Sequence, residues 1–450
     1  MNVSVIVLTW NGRGVIEPCL RAVLAQQPPA AEIMVVDNGS TDGTPHLVAE
    51  RFPTVQLIGN SRNLGFAAGN NIGLRAATGD LLVLLNDDTE THAGFLSALE
   101  HAFEDPAVGI AGAKLLYSDG TIQHAGGYLH DVRGATEHHG RHLPGEGHFE
   151  ETFEPEFVTG AALAIRRTAL QQIGFLDEGF SPIYYEDVDW CYRARAAGWR
   201  VVYVPQAIVT HHESATADRQ SYRHKLTIHQ TRLRFLFKHR TLKILLDEFG
   251  PAELAWVAGM PHITELMTAR GAYLRVLLDL PGILAFRESS DAEAEALVDL
   301  LIALRAATVS GLEALPEAHA PALASSPALP SPASPMVGGV ESQPASPGER
   351  QRSPLGRPLA RLRLLWRGFR YLDVLPDLVG QVQQHEQTLA RQADTLVQQG
   401  EIQRGQFLDA AENIRELTML AERLAALERQ SMAARPDPTD LEEGSEDGSP

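Results

Sequence analysis

The chain has 450 residues, of which 44% are hydrophobic and 21% are charged. This composition is typical of a globular protein, and the length accommodates one large domain or two domains with tails. The formal net charge of −19 argues against a nucleic-acid partner, because binding to phosphates requires a basic surface.

Cysteine content and hydropathy predict the compartment. The sequence has two cysteines, Cys19 and Cys191, which are too few for a disulfide framework and favour the reducing cytoplasm. The N-terminal segment MNVSVIVLTW lacks a basic stretch before its apolar run, so it predicts a β-strand rather than a signal peptide. The sequence contains no run of about 18 apolar residues, and no membrane-spanning helix is expected.

Apolar runs of strand length alternate with helical patterns from residue 3 to about residue 105. Strands are predicted at 3–8, 33–36, 55–58 and 81–85, with a helix after each. Near-continuous apolar strands separated by helices indicate an α/β fold with a mostly parallel sheet covered on both faces. Residues 106–216 contain shorter, irregular strands and predict a mixed-sheet half. Ligands of such sheets bind beyond the carboxyl ends of the strands.

The rest of the chain divides by composition. Residues 217–315 predict a helical extension, and Pro, Ala and Ser dominate residues 316–358, which is typical of a disordered linker. Leucines at heptad-like spacing within 359–434 predict an amphipathic helix, a candidate for oligomerisation through a short coiled coil. The acidic residues 435–450 predict a disordered tail.

Two segments are candidates for peripheral contact with a membrane surface. Residues 273–287 are apolar with a few charges, and Arg361–Tyr371 is basic and amphipathic. Packing of these helices within the protein is the alternative interpretation, and it accounts for them at least as well.

The strand LLVLLNDDT delivers three oxygen-bearing side chains to its carboxyl end, at Asn86, Asp87 and Asp88. Carboxylates there can hold a hard divalent cation, Mg²⁺ or Mn²⁺, that also binds diphosphate oxygens. A turn after the strand explains the same residues, because Asn and Asp hydrogen-bond their own backbone. The other motifs decide between these two interpretations.

Two further segments place polar groups at the same edge of the predicted sheet. In VVDNGSTDGT, Asp37 ends a strand, where its carboxylate can accept hydrogen bonds from a base or a ribose, and Asp42 can cap the next helix. In NSRNLGFAAGNN, Gly65 allows close backbone approach, while Asn63 and Asn70 can donate to phosphate or sugar oxygens. The glycine spacing differs from G-x-G-x-x-G, which argues against a nicotinamide-dependent oxidoreductase.

Later motifs supply a carboxylate pair and a histidine. The segment YYEDVDWCYRARAAGW places Glu186 and Asp187 at the start of a helix, where the helix dipole favours an ionised carboxylate. One of the two can act as a general base, and ordinary helix capping is the alternative. His211 follows a strand at 206–210, and its imidazole would complete a metal site with Asp88 if the strand ends converge.

Seven segments taken in order closely resemble the family 2 glycosyltransferases, above all their bacterial rhamnosyltransferase-like branch. The segments are VIVLTWNG, VVDNGSTDGT, NLGFAAGNN, LLNDDT, VTGAALAIRR, YYEDVDWCYRARAAGW and VTHHESAT. The resemblance covers about residues 1–240, roughly half of the chain. It implies a GT-A fold and an inverting displacement at the anomeric carbon of a nucleotide-sugar.

The resemblance also implies roles for single residues. Asn86 stands in place of the first acid of the family's D-x-D motif, so Asp88 is the expected metal ligand and Asp87 supports the diphosphate. His211 matches a late metal-binding histidine of the family. The acidic pair supplies the catalytic base, and of the two we favour Glu186 over Asp187. The residues expected to bind the nucleotide-sugar are Thr9, Asn11, Asp37, Asn63, Gly65, Asn70, Asn86 and Asp87.

The sequence therefore predicts a metal-dependent glycosyltransferase in residues 1–216, with a nucleotide-binding half at about 1–105 and an acceptor half at about 106–216. On the resemblance alone, the first candidate donor is dTDP-rhamnose, from which rhamnose would be transferred. The expected acceptor is a glycan or lipid-linked hydroxyl in cell-envelope synthesis, reached from the cytoplasm or the inner face of the membrane. The alternative is a non-catalytic scaffold that recruits partners through its C-terminal helix.

Overall fold

A computed structural model describes residues 1–212, 222–287 and 289–314 of the chain. Residues Met1–Leu315 form one compact unit. The predictions for the linker at 316–358, the helical segment at 359–434 and the acidic tail at 435–450 lie outside the described residues, as does the basic segment Arg361–Tyr371.

The N-terminal half is a parallel sheet in which helices follow the strands. Its strands are β1 (Val3–Thr9), β2 (Glu32–Asp37), β3 (Gln56–Gly59) and β4 (Leu81–Asn86), in the spatial order β3-β2-β1-β4. The first three helices are α1 (Ile16–Leu24), α2 (Thr44–Arg51) and α3 (Phe66–Ala76). Val5, Ile6 and Val7 are fully buried, since helices cover both faces of the sheet. This part of the predicted fold is confirmed.

The second half extends the same sheet. Its elements are β5 (Thr89–Thr91), α4 (Phe95–Ala102), β6 (Val108–Leu116), β7 (Ile122–His124), β10 (Ala162–Arg166), α5 (Arg167–Ile173), α6 (Glu186–Ala196) and β11 (Arg200–His211). The sheet continues in the order β4-β10-β6-β11-β5, with β7 on β6. A separate hairpin is formed by β8 (Gly127–Leu129) and β9 (Thr136–His138).

The direction of β10 makes the second half of the sheet mixed, as predicted for residues 106–216, so the sheet as a whole is not mostly parallel. β10 runs antiparallel to both of its neighbours, β4 and β6, and β5 and β7 also pair antiparallel, so the sheet is mixed. Because β10 is reversed, its first residue, Ala162, pairs with Leu85 near the carboxyl end of β4. The chain that precedes β10 therefore reaches the edge of the sheet where the polar residues gather.

Helices complete the unit after β11. They are α7 (Tyr222–His239), α8 (Leu242–Ile244), a π-helical turn (Leu245–Phe249), α9 (Gly250–Ala258), α10 (Ile263–Arg287) and α11 (Asp291–Ala314). None of the described helices is both long enough and apolar enough to cross a membrane. The candidate surface segment 273–287 lies in α10, where Tyr273, Val276, Leu280 and Ile283 are buried. Packing within the protein therefore accounts for this segment.

One buried carboxylate joins these helices to the sheet half. Glu253 on α9 is 0% exposed, and its carboxylate accepts hydrogen bonds from Arg232 on α7 and from the Tyr273 hydroxyl on α10. Arg133, from the loop between β8 and β9, donates to the same carboxylate at 2.8 Å and lies 3.9 Å over the Trp256 ring. Burial opposes ionisation of Glu253, but the two guanidinium groups lower its pKa.

Candidate functional site

The carboxyl ends of β1, β2 and β4 meet at one edge of the sheet. Thr9 pairs in register with Asp37 on β2, and Leu8 pairs with Asn86 on β4. Three of the residues singled out in the sequence therefore lie side by side, as expected for adjacent parallel strands.

Asp87 is held against the end of β1. The Thr9 hydroxyl donates to Asp87 Oδ2 at 2.5 Å. Burial raises the pKa of Asp87 to about 6; the hydrogen bond from Thr9 lowers it, and the charge of Asp88 raises it. The contact depends on Gly12, because a Cβ there would lie 2.2 Å from Asp87 Oδ2 and 2.3 Å from Thr9 Oγ1.

Asp88 and His211 come together where β5 pairs with β11. This antiparallel pairing sets His211 opposite Thr89, and the His212 backbone N–H donates to the Asp88 carbonyl at 2.9 Å. Asp88 Oδ1 then lies 3.0 Å from His211 Nε2. Asn86 Nδ2 is 3.5 Å from the same nitrogen, at the outer limit of a hydrogen bond.

The geometry of this pair fits a divalent cation. His211 Nδ1 lies 2.7 Å from Gln123 Oε1, and because an amide oxygen only accepts, a proton on Nδ1 would satisfy this contact. In the neutral ring Nε2 would then present a lone pair toward the Asp88 carboxylate. Adjacent ligands of an octahedral Mg²⁺ stand about 3 Å apart when each lies about 2.1 Å from the ion. The observed separation of 3.0 Å matches that spacing.

Among residues 1–212, 222–287 and 289–314, no three His, Cys, Asp or Glu side chains are grouped in a way that could hold a metal. A cation bound by Asp88 and His211 would therefore need further ligands from water or from the substrate. Mg²⁺ commonly occupies such sites with one or two carboxylates and completes its shell with water and substrate phosphates.

Asp37 is buried at the end of β2 with one carboxylate oxygen left for a ligand. The side chain is 4% exposed, and Oδ2 accepts from the Ser40 backbone N–H at 3.2 Å. Oδ1 is buried and has no hydrogen-bond partner among the described residues. A buried acceptor without a donor is costly, so a base imide or ribose hydroxyl bound here would stabilise it.

Two of the predicted nucleotide-binding amides are engaged within the protein. Asn11, with a φ of 55°, accepts the Thr41 backbone N–H on its Oδ1 at 2.8 Å and so ties the end of β1 to the loop after β2. Asn70 is 1% exposed and donates to the Phe66 carbonyl inside α3 at 3.1 Å. Their side chains shape the walls of the site.

Asn38, the residue after Asp37, fixes the loop after β3. Its Nδ2 donates to Asn63 Oδ1 at 3.0 Å and to the Gly65 carbonyl at 3.1 Å, while its Oδ1 accepts the Leu64 backbone N–H at 3.1 Å. Gly65 has a φ of 86°, and a Cβ there would lie 2.8 Å from the Pro182 carbonyl. The only sequence signal was the position of Asn38, directly after Asp37.

The acidic pair begins α6 after an unusual backbone turn. Tyr184 and Tyr185 have φ values of 83° and 69°, a left-handed conformation that bulky side chains rarely adopt. The Tyr185 hydroxyl donates to the Gly134 carbonyl at 2.8 Å and helps to hold the turn. Non-glycine residues in this region concentrate at functional sites, where the surrounding structure compensates their strain.

Glu186 and Asp187 occupy different environments. Glu186 is 3% exposed, and its Oε2 has no hydrogen-bond partner among the described residues. Burial and the neighbouring Asp187 charge raise the pKa of Glu186 well above its usual range. Asp187 is half-buried, and its carboxylate accepts the backbone N–H groups of Gly160 at 2.9 Å and Val188 at 2.8 Å. Burial raises the pKa of Asp187, and these amides oppose the rise.

A short path of hydrogen bonds connects Asp187 to the end of β4. The Asn86 backbone N–H donates to the Ala161 carbonyl at 3.0 Å, and the N–H of the preceding residue, Gly160, donates to Asp187. The reversed strand β10 makes this path, because it begins beside Leu85. Asp187 thus lies next to the segment that carries Asp87 and Asp88.

Asp189, the third acid of the cluster, belongs to the framework. It pairs with Lys238 at 2.6 Å, His239 at 2.7 Å and Arg193 at 2.8 Å. Burial opposes its ionisation, but His239 and Arg193 lower the pKa of Asp189 far below its usual range. These contacts fix α6 against α7.

The family model described as "Glycosyltransferase like family 2" matches residues 1–231, more than half of the chain. The chain belongs to glycosyltransferase family 2. The N-acetylglucosaminyl-diphospho-decaprenol L-rhamnosyltransferase of Mycobacterium tuberculosis is 31% identical to this glycosyltransferase over 238 residues, 47% of this chain and 76% of that protein. The uncharacterized protein y4gI of Sinorhizobium fredii is 32% identical over 235 residues, 48% of this chain, and this chain spans only 25% of that protein.

A solved structure with a similar fold is that of GalNAc-T7 with UDP, GalNAc and Mn²⁺. It is 17% identical, with a TM-score of 0.45, covering 57% of this chain and 50% of that chain. The family assignment rests on the sequence match.

Proposed function

We propose that this glycosyltransferase uses a divalent cation, Mg²⁺ or Mn²⁺, to transfer a sugar with inversion from a nucleotide donor to a hydroxyl acceptor. The observation that carries the proposal is the arrangement around Asn86, with the 3.0 Å pair of Asp88 and His211 and the path of hydrogen bonds to Asp187. A cation held by the pair would stabilise the charge that builds on the departing diphosphate.

On the donor side, the buried Oδ1 of Asp37 accepts a hydrogen bond from the base or the ribose in this proposal. Thr9 holds Asp87 in place beside the diphosphate. Asn11, Asn63, Gly65 and Asn70 support this half of the site by shaping its loops, as their contacts within the protein suggest.

On the acceptor side, the environments favour Asp187 as the base, in place of the Glu186 that we preferred from sequence. A base must be ionised, and hydrogen bonds from Gly160 and Val188 stabilise the ionised form of Asp187. Burial and the charge of Asp187 raise the pKa of Glu186 well above its usual range, which favours its protonated form. In this proposal it packs beneath Asp187 at the start of α6.

We further propose rhamnose from dTDP-rhamnose as the donor and a lipid-linked or polysaccharide hydroxyl as the acceptor. The support is the 31% identity to a protein named as an L-rhamnosyltransferase that acts on a lipid-linked N-acetylglucosamine. The same proposal places the enzyme in the cytoplasm or at the inner face of the membrane, in keeping with two free, buried cysteines. The alternative scaffold function depends on residues 359–434, which lie outside the described residues.

A donor screen tests this proposal by following nucleotide release from dTDP-rhamnose, UDP-galactofuranose, UDP-glucose and UDP-N-acetylglucosamine. We expect dTDP-rhamnose to be used, EDTA to stop the reaction and Mn²⁺ to restore it. Turnover that EDTA leaves unchanged would refute the metal role. Turnover of a different donor would refute the rhamnose assignment alone, and failure of every donor to bind in calorimetry would favour the scaffold.

Gly12 and Gly14 provide a matched pair of substitutions in one turn. We expect Gly12→Ala to weaken binding of dTDP with Mn²⁺ at least tenfold, because the new methyl group would separate Asp87 from Thr9. Gly14→Ala is the control, since a Cβ there meets nothing within 4 Å. Isothermal calorimetry measures both, and equal affinities in the two variants would contradict the role given to the Thr9–Asp87 contact.

A further inference from the structure

Gln123 is a buried amide that the sequence did not single out. It lies on β7, is 6% exposed, and its Oε1 is 2.7 Å from His211 Nδ1. β6 lies between the two residues, because β7 pairs with the end of β6 on one side and β11 pairs with it on the other. The contact joins residues 88 positions apart, which explains why no sequence pattern shows it.

The contact matters because a neutral imidazole has two tautomers with opposite consequences for His211. If Nε2 carried the proton, it would donate to Asp88 Oδ1 at 3.0 Å, and the two side chains would satisfy each other. If Nδ1 carries the proton, it donates to Gln123, and two acceptors face each other across 3.0 Å. Only the second arrangement directs the Nε2 lone pair of His211 toward a cation.

We propose that Gln123 is a positioning residue that selects the cation-binding tautomer of His211. By accepting the Nδ1 proton, it prevents the hydrogen bond between His211 and Asp88 that would close the site. This inference rests on the proposed metal role of that pair. Outer partners of metal-binding histidines commonly act in this way, and removing one costs about 10-fold to 100-fold in metal affinity.

The neighbour of Gln123 on β7 reinforces the position of this strand. His124 is 0% exposed, and its Nε2 accepts the Thr159 backbone N–H at 3.3 Å. Thr159 directly precedes Gly160, whose N–H holds Asp187. One three-residue strand therefore contacts both the histidine and the segment that supports the acid.

The first test measures binding of Mn²⁺ alone to the full chain, from the loss of the free-ion signal in electron paramagnetic resonance. We expect Gln123→Leu to weaken binding about 10-fold to 100-fold, as for other outer partners of metal ligands. Gln123→Glu keeps an acceptor opposite Nδ1 and should retain the affinity. Gln206→Leu is the control, because Gln206 is exposed on the same strand as His211.

The second test observes the tautomer of His211 directly. Nitrogen-15 NMR of the metal-free wild-type protein should show His211 protonated at Nδ1 and unprotonated at Nε2, whereas Gln123→Leu should shift it toward the Nε2–H form. A wild-type His211 protonated at Nε2 would overturn the inference, as would equal Mn²⁺ affinity in wild type and Gln123→Leu. If wild type itself binds no Mn²⁺, the proposed metal function fails instead, and the NMR result still decides the tautomer.

Discussion

Asp187→Asn is expected to lower kcat by about 100-fold to 10,000-fold, the effect of removing a positioned general base. The amide keeps the size of the carboxylate but cannot take a proton from the acceptor hydroxyl. The KM for the donor should change little, because Asp187 is proposed to act on the acceptor. Steady-state rates at saturating donor, with Asp247→Asn as an exposed control on the π-helical turn, measure the effect.

Glu186→Gln supplies the contrast. Burial and the adjacent charge raise the pKa of Glu186 well above its usual range and so favour its neutral form before the substitution. Glutamine resembles that neutral acid, so we expect a rate near that of wild type. A large loss in Glu186→Gln together with a near-normal rate in Asp187→Asn would reverse the assignment.

The pH profile of the wild-type enzyme gives an independent check on the base. Burial raises the pKa of Asp187, so protonation as the pH falls should remove the base at a higher pH than for an ordinary aspartate. Activity should therefore decline on the acid side as pH falls through that pKa. The residual activity of Asp187→Asn should lack this acid limb.

Asp88→Asn is expected to reduce kcat/KM by about 100-fold to 1,000-fold, because a bound cation contributes several kcal/mol and each 1.36 kcal/mol is a factor of ten. The substitution removes the charge while keeping the shape at the 3.0 Å contact with His211. Binding of dTDP should also lose its dependence on Mn²⁺. Calorimetry with and without the metal, again beside Asp247→Asn, measures this change.

A double variant separates a shared metal site from two independent effects. If Asp88 and His211 hold one ion, adding His211→Gln to Asp88→Asn should cost little more than the first substitution, because residues that act as a unit are not additive. Losses that multiply in the double variant would show that the two side chains act separately.

The sequence predicts the parts of the site that depend on local patterns. Apolar runs that end in polar residues placed Thr9, Asp37 and Asn86 at strand ends, and adjacent parallel strands then bring them together. The start of α6 at Glu186 also followed from local pattern, since acids gather at helix N-termini.

The sequence could not show what depends on pairing between distant segments. The apolar pattern of the five residues of β10 is compatible with a parallel or an antiparallel strand. Its antiparallel direction nevertheless places Gly160 against Asp187. The choice between Glu186 and Asp187 turns on which carboxylate receives backbone N–H groups, and this is a property of the folded loop. The contact of Gln123 with His211 crosses β6 and depends on a strand of three residues.

The buried carboxylate of Glu253 has a consequence for how the molecule opens. It is shared by Arg232 and Tyr273 from the helices and by Arg133 from the loop between β8 and β9. Withdrawing Arg133 or Arg232 breaks an ion pair to this buried carboxylate, at a cost of about 3–5 kcal/mol for a broken buried pair. The loop and the helices should therefore exchange their amide hydrogens as one cooperative group. The loop amides should be protected against exchange far more strongly than those of an exposed hairpin loop.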